Sequence, residues 1–166
     1  MQVAQALTYL HKNNVIHRDL KSMNILLSQT YKEKSQPLFK VTDFGISKII
    51  SNTTIKSTMT IGVGTVMWMA PEMLNPKNKV YDSKVDVYSF AIVMWELFSR
   101  KLPYSGIDNP LEIIEYVRFE GGRPDCNLID KNTPKSAIEL MKKCWDPSPN
   151  NRPTIIEVVD LLKAMI

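Results

Sequence analysis

The sequence predicts an α+β chain, mainly helical with one small β hairpin, and three patterns predict it. Residues 85–98 are apolar nearly all round, the mark of a helix buried on every side. Val3, Ala6, Leu7 and Leu10 fall at i, i+3, i+4 and i+7, one face of an amphipathic helix. Residues 25–27 and 39–41 are short apolar runs around a polar loop, the pattern of a hairpin.

Taken in order, the first helix opens at Met1 with no capping residue before it, so the pattern is expected to begin further upstream. The hairpin loop, residues 28–37, carries Lys32, Glu33 and Lys34 and reads as a tolerated surface insertion. Residues 46–67 shift to Ser, Thr, Ile and Gly without a period. Ser51, Thr53, Thr54, Ser57, Thr58 and Thr60 crowd a segment that composition marks as a mobile loop. Ser83 and Asp86 have the spacing of a capping box at the head of the apolar helix. Leu111, Ile114 and Val117 predict a short helix closed by Gly121 and Gly122. Thr133 and Pro134 supply a cap and first-turn proline for residues 134–145. Thr154, with Glu157 three residues on, starts the last helix.

At 166 residues, 44% of them hydrophobic, the whole chain 1–166 is expected to form one domain around a real core. The net charge of +4 raises nucleic acid as a partner, but Lys and Arg are scattered, with no basic stripe and no nucleic-acid motif. No apolar run reaches the ~20 residues of a membrane span. Cys126 and Cys144 lack paired spacing, which favours reduced thiols in a cytoplasmic protein over a disulfide framework or zinc site.

The chemistry gathers in residues 15–27. Two apolar runs flank a tight polar loop in which Asp19 and Asn24 stand five positions apart with Lys21 between them. Thr42-Asp43-Phe44-Gly45 follows, then Ala70-Pro71-Glu72. In this order the three motifs resemble the catalytic loop (17–24), the metal-binding turn and the end of the activation segment (43–72) of a eukaryotic protein kinase. The resemblance covers the chain almost from end to end and implies the mainly α C-terminal lobe of a protein-kinase-like fold. None of the six glycines forms Gly-x-Gly-x-x-Gly, and only sixteen residues precede His17. The family's N-terminal lobe, with its phosphate-covering loop and its strand lysine, is therefore expected to be missing from this chain.

The resemblance implies ATP and Mg²⁺ as cofactors and protein substrates as partners, with an N-terminal lobe or regulatory protein as a further partner. Asp19 would accept or orient the substrate hydroxyl proton, and Lys21 would reach the transferred phosphate. Thr65 would bond this Asp–Lys pair. Asn24 and Asp43 would hold Mg²⁺, a hard cation that takes oxygen ligands. Leu26 reads as core from its apolar character and as the floor under adenine from the resemblance. Lys21 and Thr65 mark the serine/threonine side of the family, whereas Trp68-Met69-Ala70-Pro71-Glu72 and Cys144-Trp145 resemble tyrosine kinases. The mixture resembles the tyrosine-kinase-like group, whose members mostly phosphorylate Ser or Thr.

His17 has a metal-ligand reading and a plainer one, a packed histidine stacked near Phe44. Asp86, inside an apolar helix, must be paired if buried, and the resemblance has it hold the catalytic-loop backbone. Glu72 and Arg152 resemble the family's buried ion pair. Arg18 would receive a phosphate on the activation segment, with Thr60 the first position for it. Two functions remain open at this point: a Ser/Thr protein kinase, or an inactive kinase-like module that docks or scaffolds partners.

Overall fold

The computed structural model describes residues 1–28, 37–43, 48–49, 65–75, 77 and 81–165. Among them are five α-helices: α1 (Gln2–Lys12), α2 (Lys84–Ser99), α3 (Pro110–Phe119), α4 (Lys135–Cys144) and α5 (Ile155–Lys163). Four short strands complete them: β1 (Val15–Ile16), β2 (Ile25–Ser28), β3 (Leu38–Val41) and β4 (Lys48–Ile49). β2 and β3 form the expected antiparallel hairpin, pairing Ile25 with Val41 and Ser28 with Leu38. β1 pairs antiparallel with β4, a two-residue contact that no periodicity announces.

α2 is the centre of the fold. From Val85 to Trp95 every side chain is buried, as an all-round apolar helix requires. Its last turn departs from that expectation, with Leu97 70% exposed. α4 packs on α2, and α1 packs on α5 and on the hairpin. Of the predicted face of α1, Leu7 is fully buried and Val3, Ala6 and Leu10 are half-buried, while Ala4, which the pattern left out, is fully buried as well. Gln2 fastens α1 to the hairpin, donating from Nε2 to the Pro37 carbonyl (3.0 Å) and accepting the Phe39 N–H (2.7 Å).

Two expected caps are corrected. Ser83 makes no capping bond, because its φ of −64° and ψ of −11° are helical and an N-cap needs extended backbone. Asp82 accepts the Lys84 N–H instead, at 2.8 Å. Pro134 occupies the N-cap position of α4 rather than its first turn, without a side-chain cap from Thr133. The capping box of α5 forms as read, with Thr154 and Glu157 bonding each other's backbone N–H. Those donors hold the Glu157 carboxyl below its ordinary value. Cys126 and Cys144 are free thiols, and burial pushes Cys144 up to about 12. No helix is long and apolar enough to cross a membrane, among the described residues.

Candidate active site

The loop after β1 is held from below by one buried carboxylate. Asp86, in the first turn of α2, is fully buried. Its two oxygens accept successive backbone N–H groups, from His17 at 2.9 Å and from Arg18 at 2.8 Å. His11 of α1 completes the shell, with Nε2 2.8 Å from Asp86 Oδ2. The carboxylate thus meets the requirement that a buried charge be bonded, and it acts on a loop nearly 70 residues upstream. It also holds Arg18 at a φ of 72°, a left-handed conformation costly for a side-chain-bearing residue. The Arg18 guanidinium lies over the Tyr81 ring, 5.5 Å from its centroid.

His17 locks the loop from within. Its Nδ1 accepts the Asp19 N–H (3.3 Å) and its Nε2 faces the Thr42 carbonyl (3.0 Å). A carbonyl can only accept, so the ring nitrogen facing Thr42 carries its proton there, on Nε2. That bonding serves packing and not metal ligation. Phe44, the expected stacking partner, lies outside the described residues, as do Ser57, Thr58 and Thr60.

The predicted catalytic residues converge. Lys21 Nζ donates to Asp19 Oδ2 at 2.8 Å and to Thr65 Oγ1 at 3.1 Å. Asn24 Nδ2 donates to the Asp19 carbonyl at 2.8 Å and to Asp19 Oδ2 at 3.1 Å. Asp19 Oδ1 is buried without a hydrogen-bond partner. One carboxylate oxygen is therefore saturated by two donors, while the other keeps its accepting capacity.

Asn24 stands just before β2 and Asp43 two residues after β3, at the base of the hairpin. The Thr42 N–H donates to the Asn24 carbonyl at 2.9 Å, which sets Asp43, the next residue, beside the loop that follows β1. Asp43 is exposed, with φ at 63° in a region that Asp tolerates better than most residues. Both groups bonded to the Asn24 amide nitrogen are acceptors, so its orientation is fixed, and no described residue bonds its oxygen. An amide oxygen and an exposed carboxylate fit Mg²⁺, which binds few protein oxygens and keeps its waters. Leu26 is 53% exposed in β2, an open apolar surface rather than core.

A second clamp escaped the sequence reading. Glu96, three turns along α2 from Asp86, accepts from Ser22 Oγ (2.9 Å) and from Trp68 Nε1 (2.7 Å). It ties the loop that follows β1 to the short turn Val66–Trp68 that follows Thr65. Burial pushes the Glu96 carboxyl up from its ordinary value despite these two donors. The available signal was its place as a lone acid near the end of an apolar helix.

Glu72 and Arg152 form the expected pair in bidentate geometry, at 2.6 and 2.9 Å. A model of the protein tyrosine and serine/threonine kinase family matches residues 1–162. The chain belongs to the protein kinase family. Serine/threonine-protein kinase STY17 of Arabidopsis thaliana is 39% identical over 166 residues, covering all of this chain and 26% of that protein. RGS domain-containing serine/threonine-protein kinase A of Dictyostelium discoideum is 40% identical over 164 residues, covering 99% of this chain and 13% of that protein. The chain thus spans about a quarter or less of the length of these relatives. Within the kinase family, its mainly helical architecture with one small hairpin is that of a C-terminal lobe.

Proposed function

We propose that this chain supplies the catalytic half of a serine/threonine protein kinase, transferring the γ-phosphoryl group of ATP to hydroxyls of protein substrates. The observation that carries the proposal is the asymmetric Asp19 carboxylate, with Oδ2 saturated by Lys21 and Asn24 and Oδ1 buried without a partner. A Ser or Thr hydroxyl bonded to Oδ1 would be oriented for in-line attack on the γ-phosphorus. The new phosphorus–oxygen bond forms as the bond to the bridging oxygen breaks, ADP leaves with that electron pair, and the hydroxyl proton passes to Asp19. Lys21 lies within reach of both Asp19 and Thr65 and would neutralise charge on the transferred group. Asn24 and Asp43 would hold Mg²⁺, which when bound offsets negative charge on the phosphate oxygens. The serine/threonine kinases among the relatives support the choice of acceptor.

The 166 residues contain no Gly-x-Gly-x-x-Gly, and Leu26 presents an open apolar surface where the family places adenine. We therefore expect the bare chain to transfer phosphate negligibly, and to gain activity when joined to the N-terminal lobe of a related kinase. Labelled ATP and a generic Ser/Thr protein substrate test both halves. Turnover by the bare chain at the rate of the joined one would remove the need for a second lobe. A joined, folded protein with no turnover would favour the docking or scaffold reading.

A further inference from the structure

Within residues 85–96, Asp86, Ser89 and Glu96 are the residues that are neither apolar nor aromatic. They stand at i, i+3 and i+10, which a helix of 3.6 residues per turn places on one face. All three bond the site. Asp86 holds the His17 and Arg18 N–H groups. Ser89 is buried and donates from Oγ to the Trp68 carbonyl at 2.8 Å. Glu96 reaches both halves of the site, with Ser22 Oγ on Oε1 and Trp68 Nε1 on Oε2.

These two ties fall on either side of the bond between Lys21 and Thr65. Ser22 follows Lys21 and opens the turn Ser22–Asn24, whose Asn24 N–H returns to the Lys21 carbonyl at 3.0 Å. Trp68 ends the turn Val66–Trp68, and its N–H returns to the Thr65 carbonyl at 3.2 Å. Lys21 carries its ammonium on a flexible four-carbon stem. Its 3.1 Å bond to Thr65 Oγ1 therefore depends on the spacing of the two turns. One carboxylate bonded to both turns fixes that spacing. The Trp68 tie is the stronger anchor, because Trp68 is 2% exposed and a stranded indole N–H there would find no water. Glu96 makes no ion pair among the described residues, so it acts through its accepting oxygens and not through its charge.

We propose that Glu96 is a positioning residue for phosphoryl transfer, holding Lys21 and Thr65 in register through Ser22 and Trp68. The inference rests on the kinase reading above. It implies that an amide can replace the acid. The Trp68 indole only donates, so a glutamine would turn its oxygen there and its NH₂ toward Ser22 Oγ, which as a hydroxyl can accept. The hydroxyl proton released by that reversal has Met23 Sδ, 3.6 Å away, as a weak acceptor.

The test compares Glu96→Ala, Glu96→Gln and Ser22→Ala in the joined kinase by steady-state rates. Glu96→Ala should lower kcat about 10–100-fold, the scale of a small misplacement of reacting groups. KM for ATP and for the protein substrate should stay within about twofold, since the interaction acts on the transition state. Glu96→Gln should recover kcat to within about threefold of the parent, because both ties can re-form. Ser22→Ala should lower kcat about three- to tenfold, the loss of one tie to a charged group. In the Glu96→Ala background it should add nothing further. Amide exchange on the 166-residue chain gives a readout that needs no activity. The Asn24 and Trp68 N–H groups, measured against Val158 and Val159 of α5, should exchange about tenfold faster in Glu96→Ala. Glu96→Gln should return them to parental rates. If Glu96→Ala does not fold, a parental kcat in Ser22→Ala overturns the proposal by itself. A joined parent without turnover removes the kinase reading and this role of Glu96 with it. An active parent whose kcat survives Glu96→Ala, a glutamine variant as slow as the alanine one, or unchanged exchange in Glu96→Ala would each overturn the proposal and leave the kinase reading in place.

Discussion

Asp19→Asn should lower the turnover of the joined kinase by on the order of 10²–10⁴-fold if Asp19 acts as general base. Shape is conserved in this substitution and chemistry is not. Lys21 and Asn24 both present donors to Oδ2, so the new amide must turn its oxygen toward them. Its NH₂ then falls where Oδ1 stood, placing a donor where the substrate hydroxyl needs an acceptor. Folding should be little affected, because the two bonds that hold the side chain survive. Steady-state rates at saturating ATP and protein substrate check the effect. A rate within a few-fold of the parent would take Asp19 out of the proton-transfer role.

Arg152→Ala should destabilise the chain by about 3–5 kcal/mol, the usual consequence of breaking a buried ion pair from one side. Arg152 is 1% exposed, and all three guanidinium nitrogens are engaged. Besides the two bonds to Glu72, it donates to the carbonyls of Asp146 (2.8 Å), Lys84 (3.2 Å) and Pro147 (3.3 Å). The side chain of Lys84 in turn donates to the Arg152 carbonyl. Removing the guanidinium strands one carboxylate and three carbonyls and opens a void against Tyr88. Against a typical total of about 5–15 kcal/mol, that loss would leave much of the chain unfolded. Arg152→Lys should fall between, because one ammonium cannot reproduce the fork that grips both Glu72 oxygens. Urea unfolding followed by tryptophan fluorescence measures both variants. A loss under about 1 kcal/mol for the alanine variant would place the pair among weak surface bridges.

Much of this architecture was legible because the relevant signals are local. The all-round apolar helix, the hairpin runs and the Thr154–Glu157 box are each decided within a few residues, and each formed. Asp86 was legible as a buried acid that must be bonded, yet its partnership with His11 was not. That contact joins α1 to α2 across 75 positions, and periodicity on either helix is silent about it. Ser83 shows the reverse failure, a local rule displaced by its neighbour Asp82. Leu97 looked like core by composition but lies past the point where other elements cover α2. The loop residues Asp19, Lys21 and Asn24 were readable as a motif, whereas the saturation of Oδ2 and the isolation of Oδ1 are visible only in three dimensions. Ser22, Glu96 and Trp68 were missed together, since each is unremarkable until the other two are placed beside it.

The central claim is that Asp19, Lys21, Asn24 and Thr65 act as one phosphoryl-transfer unit, and a double-mutant cycle in the joined kinase tests it most directly. Rates are measured for the parent, Asp19→Asn, Lys21→Ala and the double variant with labelled ATP. Residues that act as a unit are strongly non-additive, so the double variant should be within about threefold of Asp19→Asn alone. Single-variant losses that multiply in the double variant would show two independent groups and contradict the account.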